Sequence, residues 1–167
     1  LWRWRLLLSI AAFGLVAGCA STPKPYAGPL AGDPLIDAPK AIEQGPARDR
    51  VLWQYRLAAA AMRQNQFDQA RAALDDALAR IGGIFSTDKE SRRAKGYFTE
   101  ESKKTFLGEP CERVMAYYYR GILYWMSGER DNARACFRSG EYHDGDAEEK
   151  SYASDYVMLD YLDGLAT

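Results

Sequence analysis

The sequence predicts an all-α fold made of helices that pair back to back. The first indication is the stretch from Pro110 to Gly140. Its proline suits a first helical turn and Gly128 suits a helix end, so a second helix is expected from about Asp131 to Ser139. The second indication is the alanine-rich stretch from about Asp49 to Ile81, which contains neither glycine nor proline. Both stretches predict helical hairpins.

The later hairpin carries aromatic and small residues at a fixed spacing. They are Tyr117, Gly121, Tyr124, Ala133, Phe137 and Gly140. This order, an aromatic, a small residue, an aromatic and then Ala-x-x-x-Phe, resembles the tetratricopeptide repeat. Small residues let two helices approach closely, and large ones fill the space beside them. The resemblance implies a short α-solenoid of helical hairpins and names no reaction.

The earlier hairpin matches the same pattern more weakly. Its turn is predicted at Arg63 to Phe67, and its matching positions are Leu57, Ala58, Ala61, Ala70, Leu74 and Ala77. The aromatic positions are vacant because Gln54 and Ala61 stand there. Gly82-Gly83 is expected to close this hairpin. Ala58 and Gly121 lie 63 residues apart, beyond the usual period of about 34, so an insertion separates the copies.

A further amphipathic helix is predicted between Ser151 and Ala166. Its apolar positions are Tyr156, Leu159, Leu162 and Leu165. This helix either opens a third repeat in a chain that continues past Thr167 or caps the solenoid.

The first 19 residues follow the plan of a bacterial export signal. Arg3 and Arg5 precede an apolar run from Leu6 to Val16, which is too short to span a bilayer comfortably. The run ends in Leu15-Val16-Ala17-Gly18-Cys19, which closely resembles the lipobox of bacterial lipoproteins, whose cysteine is acylated. An ordinary cleavable signal with a chance cysteine is the alternative. Ala20, where an aspartate would favour inner-membrane retention, favours the outer membrane.

The chain therefore divides into three predicted parts. Residues 1–18 are a lipoprotein signal peptide, 19–47 an acylated cysteine with a flexible tether rich in Pro, Gly and Ala, and 48–167 a helical domain. A content of 47% hydrophobic and 27% charged residues suits one modest soluble domain. Two of the 22 Lys and Arg lie in the signal, so 20 remain against 23 Asp and Glu. This slightly acidic balance does not favour a nucleic-acid partner.

Residues that carry catalytic or metal chemistry are few. His143 lies in a stretch expected to be a polar loop, Glu141 to Glu149, with fewer spaced ligands than zinc or calcium sites need. Cys111 and Cys136 remain beside Cys19, and their pairing would require two distant hairpin ends to meet, so Cys136 is expected to be buried as a thiol. No phosphate loop, nucleophile elbow or spaced carboxylate pair is present. The sequence predicts no catalytic residue, metal or cofactor.

A partner-binding face is predicted on the first helix of each hairpin, because these helices line the concave surface of a solenoid. Its residues are Leu52, Tyr55, Ala59 and Met62 in the earlier hairpin and Met115, Tyr118, Ile122 and Trp125 in the later one. An apolar and aromatic face suits a protein or peptide partner. The alternative is that Phe98, Phe106 or the terminal helix fills this groove, which makes its residues core.

The segment from Phe106 to Gly121, with the lipobox upstream, is similar to a group of bacterial envelope lipoproteins with tetratricopeptide-like repeats. The resemblance covers about residues 49–167, and Gly-Glu-Pro-x-Glu-Arg-Val-Met, starting at Gly108, is its most specific part. It implies an α-solenoid with a binding role. We therefore expect a periplasmic, outer-membrane-anchored scaffold for a protein partner. The alternatives are a structural envelope protein and a helical subunit of a periplasmic enzyme.

Overall fold

The described part of the chain is built from helices. The computed structural model describes residues 26–85, 105–145 and 156–167, with the side chains of 83–85 left aside. In these ranges the helices are α1 Pro34–Gln44, α2 Arg50–Arg63, α3 Phe67–Phe85, α4 Pro110–Met126, α5 Arg130–Asp144 and α6 Val157–Leu165, with a 3₁₀ turn at Ala47–Asp49. No strand occurs in them. The all-α prediction is confirmed there.

Helices α2 and α3 form the first hairpin. The turn between them falls where the sequence predicted it, with Asn65 in the left-handed region at φ 58° and the Gln66 amide bonded to the Ala61 carbonyl at 2.9 Å. The six positions matched to the repeat pattern are all buried: Leu57, Ala58, Ala61, Ala70, Leu74 and Ala77. Gln54, at a vacant aromatic position, is also buried and donates to the Asp76 carboxylate on α3.

The predicted end of this hairpin was wrong, because α3 continues through Gly82 and Gly83 to Phe85. A glycine inside a helix costs only about 1 kcal/mol relative to alanine. Burial of Ala77 and Ile81 on the preceding turns of α3 outweighs that cost.

Helices α4 and α5 form the second hairpin and approach closely at Gly121. A Cβ atom on Gly121 would lie 2.4 Å from Cε1 of Phe137, which is fully buried. Gly128 ends the turn region with φ 79°, as the sequence predicted. Helix α5 is longer than predicted and runs past Ser139 to Asp144. The predicted polar loop is thus helical at its start, because His143 and Asp144 are buried rather than solvated.

The start of α4 explains the most specific part of the family resemblance. Gly108 has φ 84°, and a Cβ there would lie 2.9 Å from Cε2 of Tyr55. Glu109 and Glu112 form a capping box, with Pro110 in the first turn. The Arg113 guanidinium donates back to the Gly108 carbonyl at 2.6 Å. The Gly-Glu-Pro-x-Glu-Arg sequence is therefore a complete helix start.

Helix α1 corrects the prediction of a flexible tether through residue 47. Asp33 caps this helix by accepting from the Leu35 amide at 2.9 Å, and Pro34 occupies its first turn. The buried Asp37 carboxylate accepts from the amides of residues 31 and 32, both at 2.8 Å. Ala38 joins the core of the first hairpin. Apolar burial against α2 orders these residues although Pro39, inside the helix, removes one backbone hydrogen bond.

Helix α6 packs against α5 and confirms the predicted terminal amphipathic helix over Val157–Leu165. Leu159 and Leu162 are buried, and a Cβ on Gly140 would lie 3.0 Å from Cδ1 of Leu159. Within the described ranges, no helix combines the length and apolar character needed to cross a membrane. The predicted signal with Cys19, Phe98 in the insertion and the start of the predicted terminal helix lie outside those ranges.

The close approach at Gly121 gives a stability prediction. Gly121→Ala should lower the free energy of unfolding by about 1–3 kcal/mol, because the new methyl group overpacks the buried Phe137 ring. Gly82→Ala is the matched control: no atom lies within 4 Å of its Cβ position, so it should raise stability by about 0.5–1 kcal/mol. Urea unfolding followed by circular dichroism measures both. Equal effects of the two substitutions would refute the close contact.

Candidate functional site

An apolar cavity of about 300 Å³ lies between α2, α3, α4 and the residue that precedes α6. The residues that line it are Tyr55, Ala58, Ala59, Met62, Leu74, Cys111, Glu112, Met115, Ala116, Tyr119 and Tyr156. Alanines from two helices contribute small side chains, and methionines and tyrosines contribute large ones. This volume lies at the lower end of the range for ligand pockets in proteins.

The chemistry of the lining suits a bulky apolar group. Met62 and Met115 offer flexible, polarisable side chains that adapt to the shape of a partner. Tyr119 is 37% exposed at the cavity, so its ring is available to a partner. Glu112 is the one charged residue among those lining the cavity, and its Oε2 accepts from the Glu109 amide at 2.8 Å. A partner with a cationic group beside an apolar side chain could therefore place that cation next to the Glu112 carboxylate.

Tyr55 stands between the cavity and the start of α4. Its hydroxyl donates to the Leu107 carbonyl at 3.5 Å, and its ring meets Phe106 edge to face with centroids 6.4 Å apart. Burial is the main cause that raises the pKa of Tyr55 above its usual range, with Arg113 acting in the opposite direction. The phenol therefore stays a neutral hydrogen-bond donor at any physiological pH.

The structure brings together only part of the predicted face. Tyr55, Met62 and Met115 line the cavity, as does Ala59. The other three residues of α4 turn toward a second core under α5 and α6: Tyr118, Ile122 and Trp125. The Trp125 ring meets Phe137 edge to face at 6.3 Å. Leu52 is half-buried and does not line the cavity.

The cavity side of α4 follows a different spacing from the one predicted. Cys111, Met115 and Tyr119 are four residues apart and form its wall. The predicted face continued from Met115 to Tyr118, Ile122 and Trp125, in alternating steps of three and four residues. These residues lie on the side of α4 that faces α6, away from the cavity. Spacing by four was the sequence signal that could have identified Cys111 and Tyr119. Tyr156 could not be found in this way because it comes from a distant part of the chain.

Of the fillers suggested for the groove, Phe106 and the later part of the terminal helix lie within the described ranges of the chain. Phe106 packs beside Tyr55 with Val51, Ala77 and Ile81 and is absent from the cavity lining. Tyr156, just before α6, forms one wall. The cavity of about 300 Å³ is the space that these neighbours leave.

Both cysteines in the described ranges are free thiols. Cys111 is exposed and lines the cavity, whereas Cys136 on α5 is half-buried. Burial is the main cause that raises the pKa of Cys136 to about 11, so it stays a neutral thiol at physiological pH. The predicted burial of Cys136 is confirmed in part.

His143 lies in α5, not in a loop. It is buried, accepts a 3.4 Å hydrogen bond from Nε of Arg113 and stacks on the Tyr117 ring with centroids 5.1 Å apart. Nearby, Glu141 and Asp160 repel each other, and partial burial together with this repulsion raises the pKa of Glu141. Within residues 26–85, 105–145 and 156–167, no group of three or more His, Cys, Asp and Glu is arranged to hold a metal ion.

An ion pair between a buried guanidinium and a half-exposed carboxylate fixes two walls of the cavity. Nε of Arg120 on α4 donates to Oδ1 of Asp75 on α3 at 2.5 Å, and Nη2 donates to Oδ2 at 3.1 Å. The guanidinium also lies 3.4 Å from the Tyr124 ring centroid. Asp75 follows Leu74, and Arg120 is one helical turn beyond Ala116, so the pair holds two lining residues in place.

No protein-family model, curated protein or solved structure matches the chain. The residues of the cavity therefore carry the functional interpretation.

The ion pair gives a second stability prediction. Asp75→Ala should cost about 1–3 kcal/mol, because it leaves the buried Arg120 charge without its carboxylate, while the half-exposed position of Asp75 lets solvent screen part of the loss. Asp68→Ala on the same helix is the control: Asp68 is 99% exposed and pairs with Arg71 at 3.4 Å, so its loss should cost less than about 1 kcal/mol. Urea unfolding compares the two. Arg120→Met, which leaves no charge buried, should be milder than Asp75→Ala, and the opposite order would contradict the argument.

Proposed function

We propose that this chain is a periplasmic lipoprotein, held at the outer membrane by an acyl chain on Cys19, that binds a protein or peptide partner in the cavity between α2 and α4. The observation that supports the binding role is the cavity itself, apolar throughout except for Glu112 and lined in part by exposed side chains. Tyrosine and methionine side chains, such as the exposed Tyr119 and the half-buried Met62 and Met115, are enriched at protein interfaces.

The proposed architecture is a short tetratricopeptide-like solenoid. Two hairpins of matching pattern pack side by side, and each contributes its first helix, α2 or α4, to the cavity. First helices lining a shared concave surface are typical of such repeats. The fully buried Ala133 and Phe137, and the contact at Gly121, support the same assignment.

The proposed partner inserts one large apolar side chain with a basic residue beside it. The alanines of α2 and α4 leave room for the apolar group, and the methionines adapt around it. Glu112 would face the basic residue. A single well-packed anchor of this kind commonly dominates the binding energy of an interface.

Two other functions compete with this proposal. A purely structural envelope protein would need no open cavity, so the exposed rim at Tyr119 favours a binding role. A helical enzyme subunit would need an acid and a base facing one substrate position. Glu112, the only carboxylate of the lining, already accepts from the backbone in its capping box, which favours binding over catalysis.

The membrane anchor is tested at Cys19. Cys19→Ser should abolish incorporation of labelled palmitate and move the protein from the membrane to the soluble periplasmic fraction. Cys111→Ser is the control and should leave labelling and fractionation unchanged. Palmitate incorporation that persists in Cys19→Ser would refute acylation at this residue.

The binding role is tested by filling the cavity. Ala59→Trp should reduce crosslinked recovery of the envelope partner by roughly thirtyfold, the effect of losing about 2 kcal/mol at a hot spot. Ala72→Trp, at an exposed position of α3, is the control and should recover the partner normally. Thermal melts of both variants report whether the fold survives.

The same measurement of partner recovery also shows which results would refute the binding role. If Ala59→Trp unfolds the protein, Tyr119→Ala at the exposed rim replaces it and should weaken recovery in the same direction. Normal recovery by a folded cavity-filling variant would exclude the cavity as the binding site. Failure of the wild type to recover a stoichiometric protein would reject the scaffold function.

A further inference from the structure

Helix α6 exposes an apolar stripe that no described part of the chain covers. Four of its side chains are more than half exposed: Val157 at 68%, Met158 at 54%, Tyr161 at 61% and Leu165 at 51%. Three of them are four residues apart, and Met158 lies beside them on the helix, so they share one face. Only five other large hydrophobic residues in the described ranges are comparably exposed, and these are spread over four other segments.

The charged residues of α6 lie on a different side from this stripe. Oδ1 of Asp163 accepts from Arg134 and Oδ2 from Arg138, both at 3.0 Å, so this side of the helix faces α5. Asp160 faces Glu141, also on α5. Leu159 and Leu162 enter the core. The stripe is therefore a third, uncharged side of α6, directed away from both contacts.

The arrangement of the other helices indicates what kind of element fits this face. Helix α2 is paired with α3, and α4 is paired with α5. Within the described ranges, α6 packs mainly along α5, its Leu159 and Leu162 join the core that α4 and α5 share, and no helix lies along the stripe. Another amphipathic helix would fit beside this stripe.

The α6 of a second copy has the properties that this place requires. It is the same length, presents the same apolar stripe and carries no charge within it. Two such helices can pair antiparallel about a two-fold axis, so that each stripe covers the other. With on the order of 100 Å² exposed per side chain, four side chains on each of two copies would bury about 800 Å² in total, which is the size of a weak or transient interface.

Gly164 lies at the edge of the stripe and offers a way to test this arrangement. It is exposed, its φ is not in the left-handed region, and no atom lies within 4 Å of its Cβ position. The first side-chain atom of a larger residue at this position would contact no other atom within a single copy. The same residue would stand between two helices that approach along the stripe.

We propose that two copies of this chain associate through an antiparallel α6 pair built on Val157, Tyr161 and Leu165. This association is independent of the partner that occupies the cavity, because none of the stripe residues lines it.

The experiment is cysteine crosslinking of the full acylated chain in membranes. Tyr161→Cys in a Cys111→Ser background should give a covalent dimer with a short bismaleimide, because the two-fold axis passes close to the middle of α6. Met126→Cys, 59% exposed at the distant end of α4, is the matched control for random collisions in the membrane. A specific pair should exceed this control by at least roughly tenfold in dimer yield, as effective concentration requires.

A second variant separates association from folding. Gly164→Arg added to Tyr161→Cys should reduce the dimer yield to that of the Met126→Cys control. Its thermal melt should match or exceed that of the parent, since glycine is a poor helix residue. Three outcomes would overturn the proposal: dimer yield at Tyr161→Cys no higher than the control, yield unaffected by Gly164→Arg, or an adduct with a different protein in place of the dimer.

Discussion

The contact between the two hairpins depends on a buried guanidinium. Arg120 is only 3% exposed, yet it carries a full charge into the space between α3 and α4. Asp75, itself half exposed, accepts two hydrogen bonds from this guanidinium, and Tyr124 covers its face, which offsets the cost of burying the charge. An apolar residue would tolerate several relative positions of the hairpins. The two parallel hydrogen bonds of the pair allow only one relative position of the hairpins. That position also fixes the walls of the cavity.

Helix existence was predictable from sequence because it depends on local properties. Alanine content, the proline at the start of α4 and the spacing of Gly121 and Phe137 all act within one hairpin. Helix ends were less predictable. Helix α3 passes through Gly82 and α5 passes beyond Ser139, because burial of neighbouring turns outweighs weak local signals. The prediction of a flexible tether failed over α1 for the same reason, because proline content suggested an extended chain while packing against α2 decided the structure.

The candidate site was predictable only to the level of which helices contribute to it. The sequence predicted that α2 and α4 would form the groove, and of the predicted residues Tyr55, Met62 and Met115 line the cavity. It could not show that α6 would cover the side of α4 that carries Ile122 and Trp125, because that contact joins residues far apart in the chain. Nor could periodicity reveal Tyr156 as a wall. Contacts between elements decide which face of an amphipathic helix stays open.

The fold begins much closer to the proposed lipid anchor than a long tether would allow. The Tyr26 ring already meets Trp53 of α2 edge to face, with centroids 6.4 Å apart. Only residues 20–25 separate this contact from Cys19. Fully extended, that stretch reaches at most about 25 Å. A chain acylated at Cys19 would therefore hold its helices next to the lipid headgroups, within reach of partners on the membrane surface and out of reach of those on the far side of the periplasm.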